Sequence, residues 1–473
     1  MVIALVIVLL VFGTLAFHFL SPWYLTPLAS NWGAIDSTIL ITFIVCGIVF
    51  VIVNLFMAWS IVRYRYDANR RSDYDPENQK LEIWLTGITT IGIAALLAPG
   101  LVVWGAFVSV PDDADQVEVV GQQWHWSFRF PGEDGEFGRI DPALISNDNP
   151  FGMDPDDPAG QDDVLVQAPT VLLPVDRPVK TVLRSKDILH NFKVANFRAK
   201  MDLLPGQTSY MWLTPTREGD YDVVCAQLCG IGHFAMRGTV RVVSQEEFDE
   251  WLANQPTFAE LQAREPPDLA AGEAHYRTCV ACHGADGHGN EALNAPSIAG
   301  IGAWSTERQL RNFRTGARGT HDDDVYGAQM RPFATLLADD DAIRDVAAYI
   351  ETLTPARPEV TVAGDATRGQ RLYRTCANCH GASGEGNEAV NGPPLAGLQD
   401  WYHLTQLENF RAGIRGRHAQ DLYGNQMVDM AQMLVDERTM RDVVAYINTL
   451  RPDTLTVDGD DTDTDTTLAR RAD

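Results

Sequence analysis

Three apolar stretches open the chain, at about residues 1–17, 38–62 and 83–110. A helix needs ~20 apolar residues to cross a hydrocarbon core, so the second and third stretches predict a transmembrane helical hairpin. The first has no Lys or Arg ahead of it and no small-residue cleavage site. It reads as an extra N-terminal span, with a signal segment as the rival reading. From Val117 to about Val243 the pattern becomes short and alternating, as in Val117-Glu118-Val119-Val120, Thr181-Val182-Leu183-Arg184 and Gly238-Thr239-Val240-Arg241-Val242-Val243. Gly, Pro and Asp turns separate these runs, which predicts a β-sandwich or barrel. Residues 131–163 interrupt it with an acidic stretch rich in Gly, Pro and Asp, expected as an exposed loop. Near Gln245 the pattern turns helical, and a Pro-bearing linker follows.

The remainder is an internal repeat. Tyr276 to Leu353 matches Tyr373 to Leu450 at a constant offset of 97 without a gap. Cys279, Cys282, His283, Trp304, Phe313, Arg318, His321, Tyr326 and Met330 recur as Cys376, Cys379, His380, Trp401, Phe410, Arg415, His418, Tyr423 and Met427. Two copies of one small helical domain are expected. The Asp/Thr run at 458–465 has the composition of a disordered tail. The expected boundaries are 1–112 for the membrane helices, 113–250 for the β-domain and 251–267 for the linker. The two repeats then occupy 268–355 and 356–452, and the tail 453–473.

Charge gives sidedness and excludes one class of partner. Residues 63–80 hold Arg63, Arg65, Arg70, Arg71 and Lys80, while 18–37 and 105–125 hold no Lys or Arg. The basic loop is therefore cytoplasmic, and everything after residue 110 lies on the outer side. With 37 Lys plus Arg against 63 Asp plus Glu, the formal charge is −26. That argues against nucleic acid and for a basic partner or a salty milieu.

Six of the seven cysteines fall in three close pairs. Cys279-Val280-Ala281-Cys282-His283 and Cys376-Ala377-Asn378-Cys379-His380 each match C-x-x-C-H, the attachment pattern of c-type haem. Two cysteines on one helical turn can reach the vinyl groups along a porphyrin edge, and the following histidine then faces the iron. A thioredoxin-like pair or half a zinc site requires no such histidine. Two covalently bound haems c are expected, with His283 and His380 as axial ligands. A distal ligand should recur as well, and the recurring candidates are Met330/Met427 and His321/His418. A thioether stabilises ferrous iron and suits an electron carrier, so Met330 and Met427 are preferred. The unmatched Met430 and Met433 are expected to pack in the core. The unmatched His275, His288 and His403 are expected in surface or capping roles. Both repeats resemble class I cytochrome c domains.

The third pair lies in Cys225-Ala-Gln-Leu-Cys229-Gly-Ile-Gly-His233-Phe-Ala-Met236. These are soft donors in a short loop closing a β-fold, the set that suits copper in an electron-transfer site. A mononuclear site would use one cysteine, so the second implies a larger centre. Zinc would leave the methionine idle, and a disulfide would leave both His and Met unused.

The spacing C-x-[E/Q]-x-C-x-x-x-H-x-x-M, with a histidine upstream, resembles the dinuclear copper (CuA) signature of cytochrome c oxidase subunit 2. Asp187-Ile188-Leu189-His190-Asn191-Phe192 resembles that family's upstream histidine segment. Gly121-Gln122-Gln123-Trp124-His125-Trp126 resembles its aromatic stretch where electrons enter. With the hairpin, the resemblance covers about residues 30–245. It implies a cupredoxin-like β-sandwich in which Cys225 and Cys229 bridge two copper ions, each also bound by one of His190 and His233. Met236 would be a weak ligand, Gln227 would contribute its backbone carbonyl, and Trp124 would receive electrons. Many relatives carry glutamate where this chain has Gln227, and there the side chain helps hold magnesium. A neutral amide is a weaker partner for that hard cation, so no magnesium is expected. His125 also stands where tyrosine is common. Leu81-Glu82 resembles the family's stretch at the mouth of a proton path, which makes Glu82 a candidate, although Trp84 comes one position early.

The expected protein is multidomain: membrane hairpin with an extra N-terminal span or signal, cupredoxin-like β-sandwich, and two all-α cytochrome c domains. The resemblance implies a subunit of a haem–copper terminal oxidase that takes electrons from a donor through two haems c and CuA to the haem of catalytic subunit 1. Oxygen reduction would belong to that partner, in company with other oxidase subunits. The donor would be a quinol:acceptor complex or a small cytochrome or copper protein. The chain would cross the bacterial cytoplasmic (inner) membrane, with its copper and cytochrome domains on the periplasmic face. A CuA-containing nitric oxide reductase would present much the same chain. A stand-alone membrane-anchored electron shuttle is the rival of another class, against which Pro99, Gly87, Gly92 and Gly100 in the third span suggest packing between helices.

Overall fold

The computed structural model describes residues 1–21, 26–71, 77–146, 149–418 and 420–450. The tail expected to be disordered, 453–473, lies outside these residues, as does 72–76 of the basic loop. The chain divides into two compact units. The first comprises Met1–Ile145, Asn149–Cys229 and Met236–Gln262, and the second is built on the repeats from Ala263 onward together with Gly230–Ala235.

The first unit begins with helices α1 (Val2–Leu20), α2 (Gly33–Arg63) and α3 (Gln79–Val108). At ~1.5 Å rise per residue they are roughly 28, 46 and 45 Å long, enough to cross a hydrocarbon core. Leu40, Ile44 and Phe56 of α2 and Ile83, Ile91 and Leu101 of α3 are exposed, an apolar surface that calls for lipid. Helices α2 and α3 begin before their apolar runs. The Asn78 side chain caps α3 by accepting the Leu81 amide at 3.1 Å, which extends the helix into polar sequence.

Among the described residues ten strands follow: β1 (Asp115–Gln122), β2 (His125–Phe130), β3 (Val164–Val166), β4 (Thr170–Pro174), β5 (Val179–Ser185), β6 (His190–Val194), β7 (Ala199–Leu203), β8 (Ser209–Leu213), β9 (Gly219–Cys225) and β10 (Arg237–Val243). They form two five-stranded sheets, β3-β2-β1-β5-β8 and β4-β10-β9-β6-β7. The alternation of the sequence is met in β10, where Gly238, Val240 and Val242 are buried while Arg237 and Arg241 are exposed. Val117, Val119, Phe128, Val171, Phe192 and Val240 converge on the interior between the sheets.

Polar contacts fasten this domain to the outer ends of the spans. Arg198 Nε donates to Asp36 at 2.7 Å, Trp32 Nε1 to the Trp212 carbonyl at 2.9 Å, and Trp212 Nε1 to the Ala106 carbonyl at 3.1 Å.

Among its described residues the 131–163 segment forms no strand, yet it is not simply an exposed loop. Phe151 and Met153 are buried against Val120, Leu165 and Phe258, on the face of β1 turned away from the sandwich interior. A buried polar cluster holds the same segment: Arg129 Nε lies 2.7 Å from Glu118, and its Nη1 2.9 Å from Asp163 and 3.0 Å from the Gly138 carbonyl. Helices α4 (Gln245–Ala253) and α5 (Phe258–Gln262) continue this unit.

In the second unit the first repeat holds α6 (Leu269–Tyr276), α7 (Val280–His283), α8 (Ala303–Thr315), α9 (Val325–Thr335) and α10 (Asp340–Thr352). The second holds α11 (Ala366–His380), α12 (Asp400–Ala412), α13 (Leu422–Gln432) and α14 (Glu437–Ile447), with α11 running unbroken where α6 and α7 are separate. The cores match residue by residue: Tyr276, Ile343, Val346 and Ile350 correspond to Tyr373, Met440, Val443 and Ile447. Asn294 and Asn391 share a φ of 54°, a left-handed turn that asparagine tolerates.

Candidate copper centre and haem pockets

Cys225 ends β9 and Met236 immediately precedes β10, so the antiparallel pairing of these strands closes the loop between them. The Cys225 amide donates to the Met236 carbonyl at 3.2 Å. His190 begins β6, the neighbouring strand, in which Phe192 lies opposite Cys225. Ligand atoms of His190, Cys225 and Cys229 lie within 4.8 Å of one another, and all three residues are buried. The Cys225 and Cys229 sulfurs are 3.8 Å apart, and Met236 Sδ lies 3.7 Å from Cys229 Sγ. Neither cysteine is in a disulfide. Thiolates so spaced can each lie about 2.3 Å from a common ion, the usual metal–thiolate distance at zinc.

The electrostatics suit a cation. The Cys225 thiol sits far below its ordinary range because Cys229 hydrogen-bonds to it, and the same contact, with burial, pushes Cys229 up. The pair loses one proton easily and holds the second. His190 Nε2 lies 2.7 Å from Asp187 Oδ1, whereas its buried Nδ1 has no hydrogen-bond partner. Burial pulls the imidazole down, but Asp187 and Cys225 together raise it. Burial likewise works to raise Asp187, and hydrogen bonds from His190 and the Gln123 and Ile188 amides outweigh it, leaving the carboxyl below its ordinary range. A soft donor set with an orphaned, oriented imidazole nitrogen fits copper.

The other expected copper residues are placed as follows. Gln227 is exposed, and its carbonyl lies 3.1 Å from Cys225 Sγ. His233 stands half-buried in the turn His233–Ala235 and is not part of the His190–Cys225–Cys229 group. Trp124 is buried, and its Nε1 donates to the Cys229 carbonyl at 3.0 Å. Gln123 Nε2 donates to the same oxygen at 2.8 Å, a contact that sequence reasoning missed. Glu82 lies exposed in the first turn of α3.

In each repeat the C-x-x-C-H histidine is the last residue of its helix and is followed by a glycine with φ near 80°, Gly284 or Gly381. Tyr276 and Tyr373 pin these turns through their hydroxyls. His283 Nδ1 lies 2.8 Å from the Pro296 carbonyl and His380 Nδ1 2.7 Å from the Pro393 carbonyl, which leaves each Nε2 for an iron. Burial lowers both imidazoles, favouring the neutral form that can ligate. A cavity of about 470 Å³ is lined by Cys279, His283, Cys376, Cys379, His380 and both candidate methionines, Met330 and Met427. Cys282 stands on the same short helix as His283. His321 and His418 are exposed and do not line the cavity.

Two expectations need correction. His403 is buried, not at the surface: it lines the cavity with Nε2 2.8 Å from the Leu395 carbonyl, and burial lowers its pKa to about 4. Met433 is 52% exposed although it reaches the cavity wall. His403 lies on α12, whose cavity-facing side encloses it without a counterpart in the other repeat, whereas Met433 follows the last residue of α13, where the chain turns toward solvent.

Residues 116–243 match the family model for the cytochrome c oxidase subunit II periplasmic domain, and residues 269–354 and 366–451 each match that for cytochrome c. The alternative cytochrome c oxidase subunit 2 of Bradyrhizobium diazoefficiens is 51% identical over 264 residues, 56% of this chain and 95% of that protein. The cytochrome c oxidase subunit 2 of Cereibacter sphaeroides is 28% identical over 235 residues, 48% of this chain and 77% of its own. Among solved structures, reduced recombinant cytochrome c4 from Pseudomonas stutzeri matches at 25% identity and a TM-score of 0.32, covering 39% of this chain and all of that one. With a near full-length relative at this identity and cytochrome c modules after it, the chain belongs to the cytochrome c oxidase subunit 2 family.

Proposed function

We propose that the chain receives electrons from a donor and passes them through two covalently held haems c and a dinuclear CuA centre to the haem of catalytic subunit 1, which reduces O₂. The observation that carries this reading is the buried group of His190, Cys225 and Cys229, with Met236 beside Cys229. Cys225, Cys229, His190, His233, Met236 and the Gln227 carbonyl would hold the copper, which supplies one-electron transfer with little rearrangement. Cys279 and Cys282 would hold one haem and Cys376 and Cys379 the other, with His283/Met330 and His380/Met427 as axial pairs. Trp124 would receive the electrons, and its Nε1 bond to the Cys229 carbonyl supports that role. Glu82 would stand at the mouth of a proton path.

As an oxidase subunit 2 the chain is membrane-anchored, turns its β-domain outward and associates with other oxidase subunits. We place it in the bacterial inner membrane, with a quinol:acceptor complex or a small cytochrome or copper protein as donor. Attaching cytochrome domains to the copper domain makes the internal transfer intramolecular, at high effective concentration and with little salt dependence. Gln227, a neutral amide, supports the second reading as part of a nitric oxide reductase. Turnover of the native membrane complex with O₂ and with NO decides: O₂ consumption with little NO consumption supports the oxidase, and the reverse supports the reductase.

A further inference from the structure

The stretch expected as a linker, 251–267, is claimed from both sides. Helix α4 stays on the β-domain, with the rings of Phe248 and Trp251 each 5.8 Å from that of Phe130. Beyond it, the chain runs antiparallel to β3, the edge strand of its sheet, with Thr257 opposite Val164. The Leu165 amide donates to the Pro256 carbonyl at 3.0 Å, the Phe258 amide to the Asp163 carbonyl at 2.9 Å and the Ala259 amide to the Gln161 carbonyl at 2.9 Å. Thr257 and Glu260 then cap α5 reciprocally. The Thr257 amide donates to Glu260 Oε2 at 2.9 Å, and the Glu260 amide to Thr257 Oγ1 at 3.2 Å.

A peptide added to a sheet edge is held by its backbone and specified by the side chain it buries. Here that side chain is Phe258, 3% exposed. Its socket is made by Val120 and Leu165 of the sheet together with Phe151 and Met153 of the 131–163 segment. Asp163 ties the three parts together: its backbone carbonyl takes the Phe258 amide, while its carboxylate takes Arg129 and the Gly138 amide. The acidic segment thus builds part of a dock for the chain that leaves the copper domain.

The second unit holds the other end. Arg344 Nη2 of α10 donates to the Glu265 carbonyl at 3.0 Å, and the Asp268 amide donates to Asp345 Oδ1 at 2.8 Å. Pro266 and Pro267 stiffen the chain between these contacts. Between Gln262, where α5 ends, and Glu265 stand Ala263 and Arg264 alone. That tether spans ~10 Å at full stretch, against roughly 40 Å for the chain released from Asn254 onward.

We propose that Phe258 is a positioning residue for electron transfer: seated in the socket that the 131–163 segment completes, it keeps the cytochrome domains on a short tether to the copper domain. This deepens the function proposed above and rests on it, since it needs haem and copper in one chain. Effective concentration falls as about the −3/2 power of tether length, so a roughly fourfold longer tether lowers it about tenfold.

Flash photoreduction of haem c in the copper-loaded full-length holoprotein, with copper reduction followed by near-infrared absorbance, tests this. Phe258→Asp should slow haem-to-copper transfer about tenfold, with haem potentials and the copper resonance signal at their wild-type values. Phe258→Leu, which still fills the socket, should keep the wild-type rate. If Phe258→Asp fails to fold, two other measurements decide. Inserting about eight Gly/Ser residues between Ala263 and Arg264 leaves the dock whole and should slow transfer by a similar factor. In the wild type, the Phe258 and Ala259 amides should exchange with solvent as slowly as those of β1. An unchanged rate in Phe258→Asp or in the insertion variant, a slowed rate accompanied by shifted potentials, or open-chain exchange of the two amides overturns the proposal. A wild-type chain with no haem-to-copper transfer at all would instead count against the underlying reading.

Discussion

Asp187 holds His190 by an Nε2 contact of 2.7 Å, so the imidazole presents its buried, unpartnered Nδ1 to the two thiols. A carboxylate behind a ligating histidine fixes its tautomer and raises its basicity. Asp187→Asn should lower copper affinity about 10–100-fold, read by competition with a chelator. An unchanged affinity would show that the contact does not serve the metal.

The methionines of α9 and α13 make a separable prediction. Met330→His should lower the potential of one haem strongly and leave the other close to its original value, and Met427→His should do the converse. No change in either variant would move the distal assignment to His321 and His418, despite their exposure.

Much of this architecture can be read from short-range sequence. The C-x-x-C-H turns, the Cys225–Met236 loop and the alternation of β10 are local patterns, and the offset of 97 carries every helix of one repeat onto the other. What escapes depends on distant partners. Arg318 meets Gln406 across 88 residues, and neither residue type announces burial. Phe151 and Met153 sit in a stretch whose composition is that of a loop, and only the β1 face shows where two apolar side chains go. His403 looked like a surface residue because it lacks a counterpart, whereas its enclosure is set by the cavity.

The anchor of the 131–163 segment should matter for stability. Arg129→Met leaves buried Asp163 without its cation and Glu118 with Arg184 alone, a loss of about 1–3 kcal/mol. A marked fall in the thermal midpoint of the detergent-solubilised chain is expected, and an unchanged midpoint would contradict the role given to the cluster.

Asp163 adds a pH signature. Burial raises its carboxyl to about 7 against the pull of Arg129. A group with a raised folded pKa contributes stability that is full below its unfolded value, near 4, and is lost as pH rises through 7. Between those limits the wild-type midpoint should fall relative to that of Asp163→Asn. Parallel profiles for the two proteins would remove Asp163 from the account.

Electron paramagnetic resonance of the oxidised, copper-loaded full-length chain tests the central claim most directly. The account predicts two coppers per chain with one unpaired electron shared equally between both nuclei, and a single-copper spectrum once Cys229 is changed to serine. Hyperfine structure from one copper nucleus in the wild type, or zinc in place of copper, would contradict it.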